Sequence, residues 1–181
     1  MKKLFILMQG ISGSGKTTLA NQMETESLLC KVLSRDKIRK EVFGLAHNAT
    51  PNLSIEAQVT TEFNRQLREA CESDRYEVIV LDNTFLKVQY IKSAVDEIRQ
   101  YTAPTESEIV IFKVVTPFCD CQVRRSDFPV EVLERQMKDF KSLPEPEALC
   151  AMFDLKEIIT YYTEVGVGER WVKGVGYTYK F

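Results

Sequence analysis

The chain has 181 residues, 44% hydrophobic and 28% charged, with a formal net charge of −2. Length and balance suit one domain with a sizeable core and exclude a disordered tail, a collagen-like repeat or a disulfide scaffold. A slightly acidic chain is also unlike one that holds nucleic acid by broad electrostatics, although a few local cations suffice to grip a strand end.

Lys2-Lys3 precedes the apolar run Leu4-Phe5-Ile6-Leu7-Met8, which is too short for a secretory signal and leads straight into a glycine loop. Residues 3–9 are therefore read as a first strand buried on both faces. Gly10-Ile11-Ser12-Gly13-Ser14-Gly15-Lys16-Thr17 then matches G-x-x-x-x-G-K-[ST] in full. A strand precedes it and a helix from Thr17 to about Met23 follows, the context the motif requires. Glycines let the backbone turn its N–H groups inward as an anion nest, and the helix adds its positive end. Gly10, Ser12, Gly13, Ser14, Gly15, Lys16, Thr17 and Thr18 are the expected nucleotide cradle. Lys16 reaches the β- and γ-phosphates and the Thr17 hydroxyl faces a magnesium ion. A chance match or a glycine turn with a surface lysine is the competing account.

Lys31-Val32-Leu33 reads as a second strand, followed by a helix from Asp36 to about Phe43 with Gly44 as its stop. On that helix Asp36, Arg39 and Lys40 share a face at i, i+3 and i+4. A carboxylate at a strand end can take a hydroxyl proton, and an Arg one turn on can fork an acceptor's phosphate. A solvated helix with local ion pairs is the alternative. His47 to Asn52 is loop chemistry, with Ser54 as N-cap of a long helix to about Glu72 that turns Ile55, Val59, Phe63, Leu67 and Ala70 inward.

Val78-Ile79-Val80-Leu81 is a buried strand ending at Asp82, the place of a magnesium-holding carboxylate, unless Asp82 merely caps the turn. A helix over Lys87–Tyr101 and a strand over Ile109–Val115 come next. Helical stretches follow at Phe118–Arg125 and Val130–Phe140, before Leu143-Pro144-Glu145-Pro146 breaks the pattern. Arg124-Arg125 is a candidate lid pair for the charge of a moving phosphoryl group, or else an exposed pair bonded to Asp120 or Asp127. After residue 151, Gly166, Gly168, Gly174 and Gly176 among Val, Tyr and Trp171 suggest short strands or a hairpin. Trp171, Tyr177 and Tyr179 are read as a packing cluster. The five cysteines form no paired motif and read as free thiols of a reducing compartment. With one histidine, a metal cluster is not expected, and no segment is long enough to span a bilayer.

Alternating strands and helices give an α/β class with a central parallel sheet, helices on both faces and a helical lid, the P-loop NTPase fold. The expected organisation is a kinase-type domain over 1–144 with its lid at about 117–130, and an extension over 145–181 packed on the same domain.

Gly10 to Thr18, Ser34-Arg35-Asp36-Lys37-Ile38-Arg39, Asp82-Asn83-Thr84 and Val123-Arg124-Arg125 with Pro129-Val130-Glu131-Val132-Leu133 occur in that order. Together they resemble the kinase domain of phage-type polynucleotide 5′-kinases, over about residues 1–144. The lid is several residues shorter than the family's, and Asn83-Thr84 reverses the family's order. The resemblance implies ATP and Mg²⁺ as cofactors, Lys16 and Thr17 on phosphates and metal, and Asp82 on the metal or acceptor side. It further implies Asp36 as base on a nucleic acid 5′-hydroxyl, Arg39 on the adjacent phosphate, and Arg124 or Arg125 acting from the lid. It implies a cytoplasmic enzyme of nucleic acid repair, in the host's cytoplasm if the gene is a phage's. A small-molecule kinase of the zeta-toxin type and an ATP-binding switch protein are the alternatives.

Overall fold

The computed structural model describes residues 2–45 and 52–164 in full, and the backbone of 167–172 and 175–180. Of the loop expected at His47–Asn52, residues 47–51 lie outside the described residues, as do the side chains of Trp171, Tyr177 and Tyr179. The elements run β1 (Lys3–Gln9), α1 (Lys16–Glu26), β2 (Cys30–Ser34), α2 (Arg35–Phe43), α3 (Leu53–Glu72), β3 (Val78–Asp82) and α4 (Val88–Tyr101). They continue as β4 (Ser107–Val115), α5 (Phe118–Arg124), α6 (Val130–Lys141), α7 (Pro146–Phe153), β5 (Glu157–Tyr162), β6 (Val167–Val172) and β7 (Val175–Lys180).

One sheet of order β2-β3-β1-β4-β5-β6-β7 gathers the strands. The first five are mutually parallel, and β6 and β7 extend them as an antiparallel pair. Alternation along the strands divides the core. Phe5, Leu7, Ile79, Leu81, Ile109 and Ile111 face α3 and α4, whose Val59, Phe63, Leu67, Ile91 and Ile98 are buried against them. Met8, Val32, Val80 and Val114 face the other way, onto Ala20 of α1. Both faces of the parallel strands are thus covered, which explains their near-continuous apolar sequence.

Two elements differ from expectation. Pro146 opens α7 instead of ending structure, because a proline in the first turn loses no intrahelical bond. Glu157–Tyr162, expected within an extension, forms the fifth parallel strand, in register with β4 from Val110↔Glu157 to Val115↔Tyr162. The run Ile158-Ile159-Thr160-Tyr161-Tyr162 is wholly of strand-forming types. The expected hairpin is present as β6–β7. The α3 cap is Asn52, whose side chain accepts from Ile55 N–H at 2.9 Å, two residues before the expected Ser54. At the other end of α3, Lys3 Nζ donates to the carbonyls of Ser73 at 2.7 Å and Tyr76 at 2.8 Å. Lys3 thereby satisfies backbone acceptors left at a helix terminus.

Candidate active site

In an open parallel sheet, ligands gather outside the carboxyl ends of the strands where the order reverses. Here β1 delivers the phosphate loop, β2 delivers α2 with Asp36, and β3 ends at Asp82, paired with Ser34 of β2. A cleft of about 660 Å³ joins them, lined by Lys16, Thr17, Asp36, Arg39, Asp82 and Arg125 among others.

The loop bends through three glycines with positive φ: Gly10 at 151°, Gly13 at 83° and Gly15 at 97°. A Cβ on Gly10 would sit 2.7 Å from the Val114 carbonyl, and one on Gly13 would sit 2.8 Å from the Cys121 carbonyl. Gly13 is therefore where α5 closes onto the loop, and no side chain fits between them. Gly13→Ala is expected to cost about 1–3 kcal/mol through backbone strain and displacement of α5. Urea unfolding measures it, and an unchanged midpoint would show that the loop relaxes freely.

Lys16 is only 6% exposed. Its Nζ donates to the Ile11 carbonyl at 2.8 Å and to Ser14 Oγ at 3.4 Å. Burial lowers its pKa to about 8, against the opposing pull of Asp82. Thr17 Oγ1 donates to Asp82 Oδ2 at 2.8 Å. Burial raises the Asp82 pKa, while the Thr17 hydrogen bond and the Lys16 charge hold it down. The turn after Asp82 is fixed to the loop, since Gly10 N–H donates to the Thr84 carbonyl at 3.1 Å and Gln9 Nε2 to the Phe85 carbonyl at 3.1 Å. Phe85 itself has φ of 45°, an uncommon conformation for an aromatic residue.

Thr17 and Asp82 fit a magnesium ion chemically: they bring a hydroxyl and a carboxylate oxygen together beside the phosphate nest. Among the described residues, no three His, Cys, Asp or Glu side chains converge as a metal cluster. Magnesium asks for less, since one or two carboxylates plus substrate phosphates and waters complete its shell.

Asp36 has a side chain 60% exposed at the cleft wall and is held by an ion pair from Arg39. The Arg39 fork is not free. Its Nε and Nη2 donate to Glu56 Oε1 at 2.7 Å and Oε2 at 2.9 Å. These bonds raise the Arg39 pKa and lower that of Glu56. Glu56, on the first turn of α3, was not legible in the sequence. Arg35 bonds Thr60, lies over the Phe63 ring at 5.8 Å and keeps a buried Nε with no acceptor among the described residues.

The two lid arginines separate. Arg124 Nη1 donates to the Gly13 carbonyl at 3.3 Å. Arg125 lines the cleft with Phe128, whose ring its guanidinium covers at 4.4 Å, and Asp127 holds its Nε at 3.1 Å. Of the remaining predicted residues, Ser12 and Gly13 line the cleft, and the Ser14 carbonyl is buried against the Thr116 hydroxyl at 2.8 Å. Thr18 lies in the first turn of α1, exposed. Among the described residues no helix is long and apolar enough to cross a membrane.

The AAA domain family model matches residues 5–143. A search of curated proteins finds no match. Among solved structures, a chain of the Pnkp1/Rnl/Hen1 RNA repair complex superposes with a TM-score of 0.64 at 16% identity, over 77% of this chain and 44% of that one. The AvrRxo1-ORF1:ORF2 complex with ATP gives 0.60 at 12% identity, over 94% and 57%. The PezAT toxin–antitoxin system of Streptococcus pneumoniae gives 0.58 at 15% identity, over 90% and 70%. The chain thus spans about half the length of the first two, and at these identities the likeness is one of fold. The glycine loop, the parallel sheet and the matched span agree: the chain belongs to the AAA domain family and is a P-loop kinase-like domain, a fold that implies ATP binding.

Proposed function

We propose that the chain transfers the γ-phosphoryl group of ATP, with magnesium, to the 5′-hydroxyl of a nucleic acid. The observation that carries this reading is Asp36: an accessible carboxylate at the cleft wall, held by Arg39 and within electrostatic reach of both Lys16 and Asp82. A hydroxyl placed between Asp36 and the loop gives its proton to the carboxylate as its oxygen bonds to the γ-phosphorus. The bond from that phosphorus to the bridging oxygen breaks, and ADP leaves with the electron pair. Lys16 and Arg125 face the charge that develops on the transferred group. Thr17 and Asp82 would hold magnesium, which when bound neutralises charge on the β- and γ-phosphates. On this reading Arg124 steadies the loop and Arg125 acts in the cleft.

The test is transfer from γ-labelled ATP to a panel of 5′-hydroxyl DNA and RNA oligomers, nucleosides, nucleoside monophosphates and a sugar nucleotide. Label on an oligomer, abolished by prior 5′-phosphorylation, is expected. Label on small molecules alone would overturn the acceptor assignment and leave the phosphate loop in place.

One observation favours the small-molecule reading. Arg39, expected to fork an acceptor phosphate, is already forked on Glu56. An acceptor phosphate at that point must displace Glu56, whereas an acceptor without one leaves the pair intact. Glu56→Gln frees the fork and is expected to lower KM for phosphate-bearing acceptors, with little change for a nucleoside. Steady-state kinetics on the same panel reads this. An equal KM shift for both acceptor types would confine Arg39 to holding Asp36.

A further inference from the structure

We infer that Gln136 of α6 reads the terminal phosphate of the bound nucleotide and so distinguishes ATP from ADP. The inference rests on the phosphate loop binding ATP and assigns a role within that site that the sequence did not suggest. Gln136 Oε1 accepts from Ser12 N–H at 2.8 Å. Ser12 and Gln136 both line the cleft that holds Lys16, Asp36 and Arg125. A carboxamide has one accepting and one donating end. With Oε1 committed to the loop, the two Nε2 protons are the end left for a ligand in the cleft.

The helix that carries Gln136 is firmly seated. Leu133 and Phe140 of α6 are buried, and Phe140 packs with Ile11 of the loop and Cys121 of α5, with Met137 against them. The amide is therefore held at both its backbone and its oxygen, the arrangement that fixes a donor before its partner arrives. An ADP molecule ends at the β-phosphate, inside the nest of Lys16 and the loop amides, and gives this donor nothing to bond. The opposite reading, in which Gln136 merely plugs the loop, makes it a competitor of every nucleotide.

The experiment compares ATP and ADP affinities, each with magnesium, by titration calorimetry on the full chain as wild type, Gln136→Ala and Gln136→Glu. Loss of a charge-assisted hydrogen bond is expected to weaken ATP binding by about tenfold in Gln136→Ala, with ADP within about twofold. Gln136→Glu keeps an oxygen for Ser12 N–H but faces the phosphate with negative charge, so ATP is expected to weaken further than in Gln136→Ala. It preserves the shape of the side chain, so failure to fold does not explain its loss. Equal changes for the two nucleotides, or tighter binding of both, would overturn the assignment. Wild type that binds neither nucleotide would overturn the ATP reading and this assignment with it. Wild type that binds both, with variants blind to the difference, would sink this assignment alone.

Discussion

Lys16→Met is expected to raise the unfolding midpoint of the ligand-free protein at pH 7 while abolishing its stabilisation by ATP. Lys16 is buried, and burial pulls its pKa down to about 8. At pH 7 it is still protonated, so the folded state carries a desolvated charge that the unfolded chain does not. Methionine fills similar space without that charge. The sign of the pH dependence follows. Below pH 8 both states hold the proton and the penalty is fully present. Between pH 8 and the ordinary lysine value, near 10.4, the unfolded chain binds more protons, so stability rises with pH. The advantage of Lys16→Met should therefore shrink between pH 7 and pH 10. ATP at a hundredfold over its Kd stabilises wild type by about 2.7 kcal/mol, and this increment should vanish in the variant. A less stable variant at pH 7 would mean that the bonds to Ile11 and Ser14, with the attraction to Asp82, outweigh the burial cost.

Asp36→Asn should lower phosphoryl transfer by about two to four orders of magnitude, the usual worth of a general base, and leave ATP affinity within about twofold. The amide oxygen can still accept from Arg39, so the substitution removes proton affinity more than position. Initial rates with labelled ATP, set beside nucleotide titrations of the same preparations, separate the two effects. Turnover within tenfold of wild type would remove Asp36 as the base. A parallel collapse of ATP affinity would instead make it part of the nucleotide cradle.

The phosphate loop was legible because its chemistry is contiguous: glycines, Lys16 and Thr17 act within eight residues of one another. Asp36 and Asp82 were legible for a different reason. Asp82 ends a short apolar run and Asp36 follows one by three residues, and parallel strands bring their carboxyl ends to one side. Glu56 and Gln136 offered no such signal. One meets Arg39 only because α2 packs on α3, and the other meets Ser12 across 124 residues. Neither contact leaves a mark on local spacing. The two lid arginines were legible as a pair but not as individuals, because the end of α5 sets one on the Gly13 carbonyl and the other in the cleft lining.

The position of β1 has a consequence for synthesis. It lies between β3 and β4 at the middle of the five parallel strands, yet it is the first of the three to be made. Its nearer neighbour begins at Val78 and its farther one at Ser107. At about 5–20 residues per second, the nascent apolar segment waits on the order of 4–15 s for the first of its partners. During that interval neither edge of Leu4-Phe5-Ile6-Leu7-Met8 can be satisfied by the sheet it belongs to. Holdase chaperones, which bind such extended hydrophobic segments, would meet this protein at Leu4–Met8, and both edges of that segment are covered only once β4 has followed β3.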